Sequence, residues 1–120
     1  MIINGYSIEP NSNLNGANLA GLDLGGCDLS GADLTNSNCA GTNFDAANLT
    51  GVNLTGANLT GSNFEEACLA NSNLQNANFT DATLIDAILD GANLNGIILT
   101  GAKTLGAMFR GTNPPIHKLK

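Results

Sequence analysis

The sequence predicts an all-β solenoid, a chain that coils on itself in short parallel strands joined by sharp corners. Three observations carry this. A core-type residue, Leu, Phe or once Cys39, falls at every fifth position from Leu14 to Leu99. A small residue often stands two places before it, as at Ala17, Ala32, Ala57 and Ala92, and Gly recurs two places after it, from Gly16 to Gly111. The clearest run is Ala47-Asn48-Leu49-Thr50-Gly51-Val52-Asn53-Leu54-Thr55-Gly56-Ala57-Asn58-Leu59-Thr60-Gly61, three rounds of one five-residue unit.

A period of five matches neither the 3.6 residues of a helical turn nor the two of a flat strand, so a uniform helix would scatter these leucines around its circumference. An extended stretch of three residues sends its first and third side chains to one side. The small residue and the Leu then point inward, and the Asn or Asp between them outward. The remaining two residues turn the corner. In Leu49-Thr50-Gly51-Val52 the third turn position is Gly, where a type II turn needs a positive φ. Asn36, Asn71 and Asn76 suit the same place, because Asn enters the left-handed region at modest cost. Ala46, Glu66, Asp81 and Asp86 do not, and a different turn type is expected at those corners. A three-sided coil would use fifteen residues and a four-sided one twenty. Phe44 with Phe64, Asp45 with Glu65, and Ala46 with Glu66 and Asp86 recur at twenty, whereas Phe64 and Phe79 stand fifteen apart.

The ends lie outside this pattern. Residues 1–11 form an N-terminal cap segment, 12–111 the repeat and 112–120 a C-terminal tail. A bare solenoid end would expose a layer of Leu and open strand edges. Ile2, Ile3, Tyr6 and Ile8 are therefore expected to form one lid, and Pro114, Pro115, Ile116 and Leu119 a stop and lid at the other end.

Composition narrows the function. At 120 residues the chain has the size of one domain, and with 12% charged and 4% aromatic residues it suits neither an ordinary globular core nor disorder. Its net charge is -6, and its basic residues are only Lys103, Arg110, Lys118 and Lys120, which argues against direct contact with nucleic acid. No apolar run approaches the ~18 residues of a membrane span, and the N-terminus does not read as a signal peptide, so the expectation is a cytoplasmic chain that binds no membrane. Cys27, Cys39 and Cys68 follow no metal-site spacing and are read as buried or half-buried thiols. His117 has no adjacent acid or nucleophile with which to form a catalytic pair, and no Gly-Lys-Ser or Gly-Lys-Thr accompanies the glycines, so neither catalytic residues nor a cofactor are expected.

Units such as Ala17-Asn18-Leu19, Ala32-Asp33-Leu34, Ala57-Asn58-Leu59 and Ala92-Asn93-Leu94 match the pattern Ala-Asp/Asn-Leu-X-X, and in these the chain resembles the pentapeptide-repeat family. The resemblance implies a right-handed quadrilateral parallel β-helix with a packed core and no cavity. About five such coils would stand ~24 Å tall at the ~4.8 Å spacing of neighbouring strands.

Departures from the unit point to candidate sites. Thr104 occupies a core slot, so either a Thr is buried or a one-residue bulge swings Leu105 inward. Ile85, Ile88, Ile98 and Met108 fall at outward positions, joined by Leu105 if the register holds, and make an apolar patch near the C-terminal end. Such a patch marks either a surface for a protein partner or the bed of the C-terminal tail, and the chain is read as a monomer or a homodimer through that end. Asp23, Asp45, Glu65, Glu66 and Asp86 would line one side of the rod as an acidic face. The main reading is a non-enzymatic structural or protein-interaction module. The alternative, which the family resemblance implies, is an inhibitor or protector of a topoisomerase-type DNA-handling enzyme that mimics nucleic acid.

Overall fold

The computed structural model describes residues 1–119, the side chain of Leu119 excepted. From Asn13 onward, every parallel bridge joins residues twenty apart, as in the ladder Asn13, Asp33, Asn53, Asn73, Asn93, Asn113. One coil therefore takes four five-residue walls. Four ladders run along the rod, and the walls facing each other are those of Leu14 and Leu24, and of Leu19 and Leu29.

Each wall pairs through one residue only, because the corner on either side bends the chain away after three. The solenoid consequently contains single bridges where extended strands were expected. The regular strands among the described residues are β1, Ile2–Ile3, and β2, Tyr6–Ser7, an antiparallel hairpin in the cap.

Main-chain N–H groups of the wall divide their partners in a fixed way. Leu54 donates to Asn73 O of the next coil (2.8 Å), Gly56 to Gln75 O (2.9 Å), Asn53 back to Ala32 O (3.0 Å), and Ala57 across its own corner to Leu54 O (3.0 Å). One N–H per wall remains, that of Thr55. The Asn53 side chain accepts it at 3.1 Å and the Thr55 hydroxyl at 2.7 Å. The outward Asn is thus a structural part of the unit.

Core side chains stack in columns. Leu14, Leu34, Leu54, Leu74 and Leu94 are each at most 2% exposed, and Phe44, Phe64 and Phe79 are fully buried. Buried hydroxyls bond mainly to backbone, as Thr42 does to Leu19 O (2.7 Å) and Ser62 to Leu59 O (2.6 Å), while Ser72 Oγ has no partner among the described residues.

Ala46, Glu66, Asp81 and Asp86 correct the sequence reading. Their φ values are 57°, 61°, 60° and 58°, the same left-handed corner that Gly adopts elsewhere. The stack imposes it: Ala46 N–H must reach Glu65 O (2.9 Å) and Glu66 N–H must reach Ile85 O (3.0 Å), whatever the side chain prefers.

The two ends differ. At the N-terminus Ile8 is buried with Ile3 and Tyr6 packed beside it, but Ile2 is 67% exposed and takes no part in the lid. The core slot five before Leu14 belongs to Glu9, which is exposed, and Ile8 turns inward one residue early. At the other end the ladder runs two residues beyond 111. Asn113 bridges Asn93, and Pro114 then takes the place where the next Leu would stand. The tail ends in a short 3-10 turn, Ile116–Leu119, from which Ile116 leans on the core; Leu119, expected as part of the lid, has its side chain outside the described residues. With both ends included the rod measures 39 × 22 × 21 Å, longer than the coils alone would give.

Candidate interaction site

The register holds through the last coil. Lys103 bridges Thr83, Thr104 faces inward half-buried, and Leu105 is 79% exposed, so no bulge forms. Ile88 and Met108 stack on the wall of Leu29, in the column Asp28, Asn48, Cys68, Ile88, Met108. Ile85 and Leu105 stand one above the other at the corner leading into that wall, where Asp86 N–H bonds to Leu105 O (3.0 Å). These four share one edge of the rod. Ile98 does not join them: it pairs with Asn78 on the wall of Leu19, the opposite side. The expected five-residue patch is therefore four residues, with Ile98, 44% exposed, apart from them.

Among the described residues the tail does not cover this edge, where Leu105 is 79% and Met108 38% exposed. It folds instead over the end of the rod, where Ile116 joins Leu99, Ala102, Thr104, Ala107 and Phe109 around a cup of about 690 Å³. The shaft is filled by fully buried side chains in its middle and opens into this cup at its end.

Outward apolar residues break the unit's own hydrogen bonding. Where Ile88 and Ile98 replace Asn, the N–H groups of Asp90 and Thr100 have no partner among the described residues, and the same holds for Ala70 above Cys68. Met108 is an exception, since Asp90 Oδ1 of the preceding coil accepts Arg110 N–H at 3.0 Å. Asp90 Oδ2 also takes the Arg110 guanidinium at 3.1 Å in an exposed ion pair.

Asp23, Asp45, Glu65, Glu66 and Asp86 fall on the wall of Leu24 and its corner, a placement that follows from the twenty-residue ladder. Asn43 Nδ2 donates to Asp23 Oδ1 (2.9 Å), and the wall ends in Lys103. Two acids on other walls are tied into the repeat. The Thr35 hydroxyl and N–H hold the Asp33 carboxyl below its usual range, and Ser30 N–H does the same for Asp28.

Cys27 and Cys39 are buried on opposite walls and Cys68 faces outward, half-buried. Among the described residues no cluster of His, Cys, Asp and Glu could hold a metal, and His117 is exposed. Burial pushes the Cys27 and Cys39 thiols up to about 11 from an ordinary 9.0. A thiol whose folded value is raised contributes stability below its unfolded value and loses it as pH climbs through the folded one. The melting temperature is accordingly expected to fall between about pH 9 and pH 11. Repeating the melt with Cys27→Ala and Cys39→Ala should flatten that part of the curve.

Among the described residues no helix is long and apolar enough to cross a membrane. The family model described as Pentapeptide repeats matches in eight copies, over residues 12–51, 37–76 and 77–113. Solved structures share the fold. A pentapeptide repeat protein from the Arabidopsis thaliana thylakoid lumen is 33% identical with a TM-score of 0.76, over 78% of this chain and 66% of that one. Rfr23 from the cyanobacterium Cyanothece 51142 is 33% identical with a TM-score of 0.74, over 75% and 62%. HetL, described as involved in heterocyst differentiation regulation in Nostoc sp. PCC 7120, is 29% identical with a TM-score of 0.70, over 86% and 57%. The matched part of each of these proteins is thus under two thirds of its length. No curated protein matches the chain. The likenesses imply that the coil is a right-handed quadrilateral β-helix.

Proposed function

Since the chain belongs to the pentapeptide-repeat family, we propose that it is a non-enzymatic interaction module whose partner is a protein and whose contact surface is the edge formed by Ile85, Ile88, Leu105 and Met108. The compartment proposed is the cytoplasm, and three unpaired thiols fit a reducing one. One observation carries the reading. Ile88 stands where the unit has Asn, exposing apolar surface and leaving the Asp90 N–H without its acceptor. An Asn at that place would supply the missing acceptor, a bond worth about 0.5–1.5 kcal/mol.

The test is the pair Ile88→Asn and Met108→Asn. A contact surface predicts that the variant loses its partner in a pull-down from native extract, or changes solution mass if the partner is a second copy, while its melting temperature holds or rises. A lower melting temperature with mass and capture unchanged would mean that the two residues serve packing, and the reading would fail.

A second reading is favoured by the acidic face of Asp23, Asp45, Glu65, Glu66 and Asp86, half of the ten acids on one wall and its corner. Mimicry of a nucleic-acid backbone would give binding to a topoisomerase-type enzyme that weakens steeply with salt and is lost on Glu65→Gln with Glu66→Gln. Capture that is insensitive to salt removes this reading.

A further inference from the structure

Resting on the reading of the chain as an interaction module, we propose that its C-terminal end receives an extended acidic segment of a partner protein, which adds to the last coil as a strand and lays an apolar side chain into the cup. Three features of that end support this, and each asks for something different from an occupant.

The first is an unfinished ladder. One coil earlier, Phe79, Leu84 and Leu89 donate their N–H groups to the carbonyls of Ile98, Lys103 and Met108 at 2.7, 2.6 and 2.7 Å. The equivalent N–H groups of Leu99, Thr104 and Phe109 have no acceptor among the described residues. An edge of this kind pairs readily with an added backbone.

The second is the cup. Leu99, Ala102, Ala107, Phe109 and Ile116 give it an apolar floor, and Leu99, Ala102, Ala107 and Phe109 are half-buried where their counterparts one coil below are buried. Among the described residues the tail covers one part of it through Ile116.

Charge is the third. Every Asp and Glu lies between Glu9 and Asp90, and every Lys and Arg between Lys103 and Lys120. Lys103 and Lys118 are exposed around the end, while Arg110 is engaged by Asp90. A symmetric second copy would bring two basic ends together. A fatty acid would satisfy the cup and the lysines and leave the N–H groups unpaired. An acidic strand laid along the wall of Thr104 answers all three demands, since Lys103 stands on that wall beside the open Thr104 N–H. Its carbonyls accept from the edge, and its period of two puts apolar side chains on the cup side and carboxylates on the other.

The experiment uses the full chain and two fluorescein-labelled peptides of about eight residues, one alternating Leu and Glu and the other Leu and Lys. The expected result is that the Glu peptide binds about ten-fold or more tightly than the Lys peptide, with an affinity that falls as salt rises. Amide hydrogen exchange slows on binding at Thr104, on the wall of Lys103, while Leu99 and Phe109 on the two flanking walls exchange as before. Lys103→Glu weakens binding about five-fold or more at an unchanged melting temperature, and Met108→Asn, outside the cup, leaves it as it was.

Equal binding of both peptides would overturn the proposal. So would a Thr104 amide that exchanges as fast with the Glu peptide as without it, one already protected in a dimer detected by light scattering, or binding of oleate but not of peptide. The two surfaces fail separately. Loss of the native partner on altering Ile88 and Met108, with no peptide bound at the end, would remove this inference and leave the proposed contact edge standing.

Discussion

Phe64→Ala is expected to lower stability by about 3–5 kcal/mol, measured by denaturant or thermal unfolding. Phe64 is fully buried, stacks on Phe44 with ring centroids 5.0 Å apart and planes at 17°, and meets Phe79 at 5.3 Å and 43°. One truncation therefore strips contacts from a ring one coil below and from another on the adjoining wall. The backbone cannot close the gap, because Asn63 is held to Thr42 O and Phe64 N–H to Thr83 O. A solenoid couples each coil only to its neighbours, so a void here should also broaden the transition as the two halves begin to melt independently. Phe109→Ala, on a half-buried ring at the open end, should have a clearly smaller effect. Equal losses from the two substitutions would contradict this account of the core.

Gly96→Ala should cost about 2–3 kcal/mol, and Gly61→Ala only about 1–2 kcal/mol. Both corners have positive φ, 72° and 67°, and share the strain of putting a β-carbon there. They differ in what lies beneath. A Cβ on Gly61 would meet nothing within 4 Å, whereas one on Gly96 would collide with Asn76 Oδ1. The same relation recurs wherever a corner carries Asn or Asp: Asn11 under Gly31, Asn36 under Gly56, Asn71 under Gly91, Asp81 under Gly101, Asp86 under Gly106. Combining Asn76→Gly with Gly96→Ala should recover most of the difference, read from the melting temperatures of the single and double variants.

That pairing rule shows what a single sequence discloses and what it hides. Leu at every fifth place fixes which side chains face inward, since alternation over three residues admits no other arrangement, and the columns of Leu14 and Phe44 follow by counting. The acidic face could be found the same way once twenty was taken as the coil. Counting failed where a neighbour decides. Propensity argued against a left-handed Glu66, yet the hydrogen bond to Ile85 O outweighs it. Ile98 looked close to Ile88 in sequence, but ten residues are half a coil and place it on the far side. Ile8 left the register because the cap answers to the end of the rod and not to the repeat. Nor did the unit announce that its Asn accepts a main-chain N–H, which is what gives the outward isoleucines their meaning.

The twenty-residue ladder also sets how the molecule would yield to force. Pulled by its two termini along the axis, an inner coil is held by a neighbour on each side and an outermost coil on one side only, so peeling should start at the ends of the rod. Each step would release twenty residues, about 66–72 Å of chain at full extension. A force-extension trace would then be a staircase of equal treads, one per turn of the shaft, rather than a single rupture.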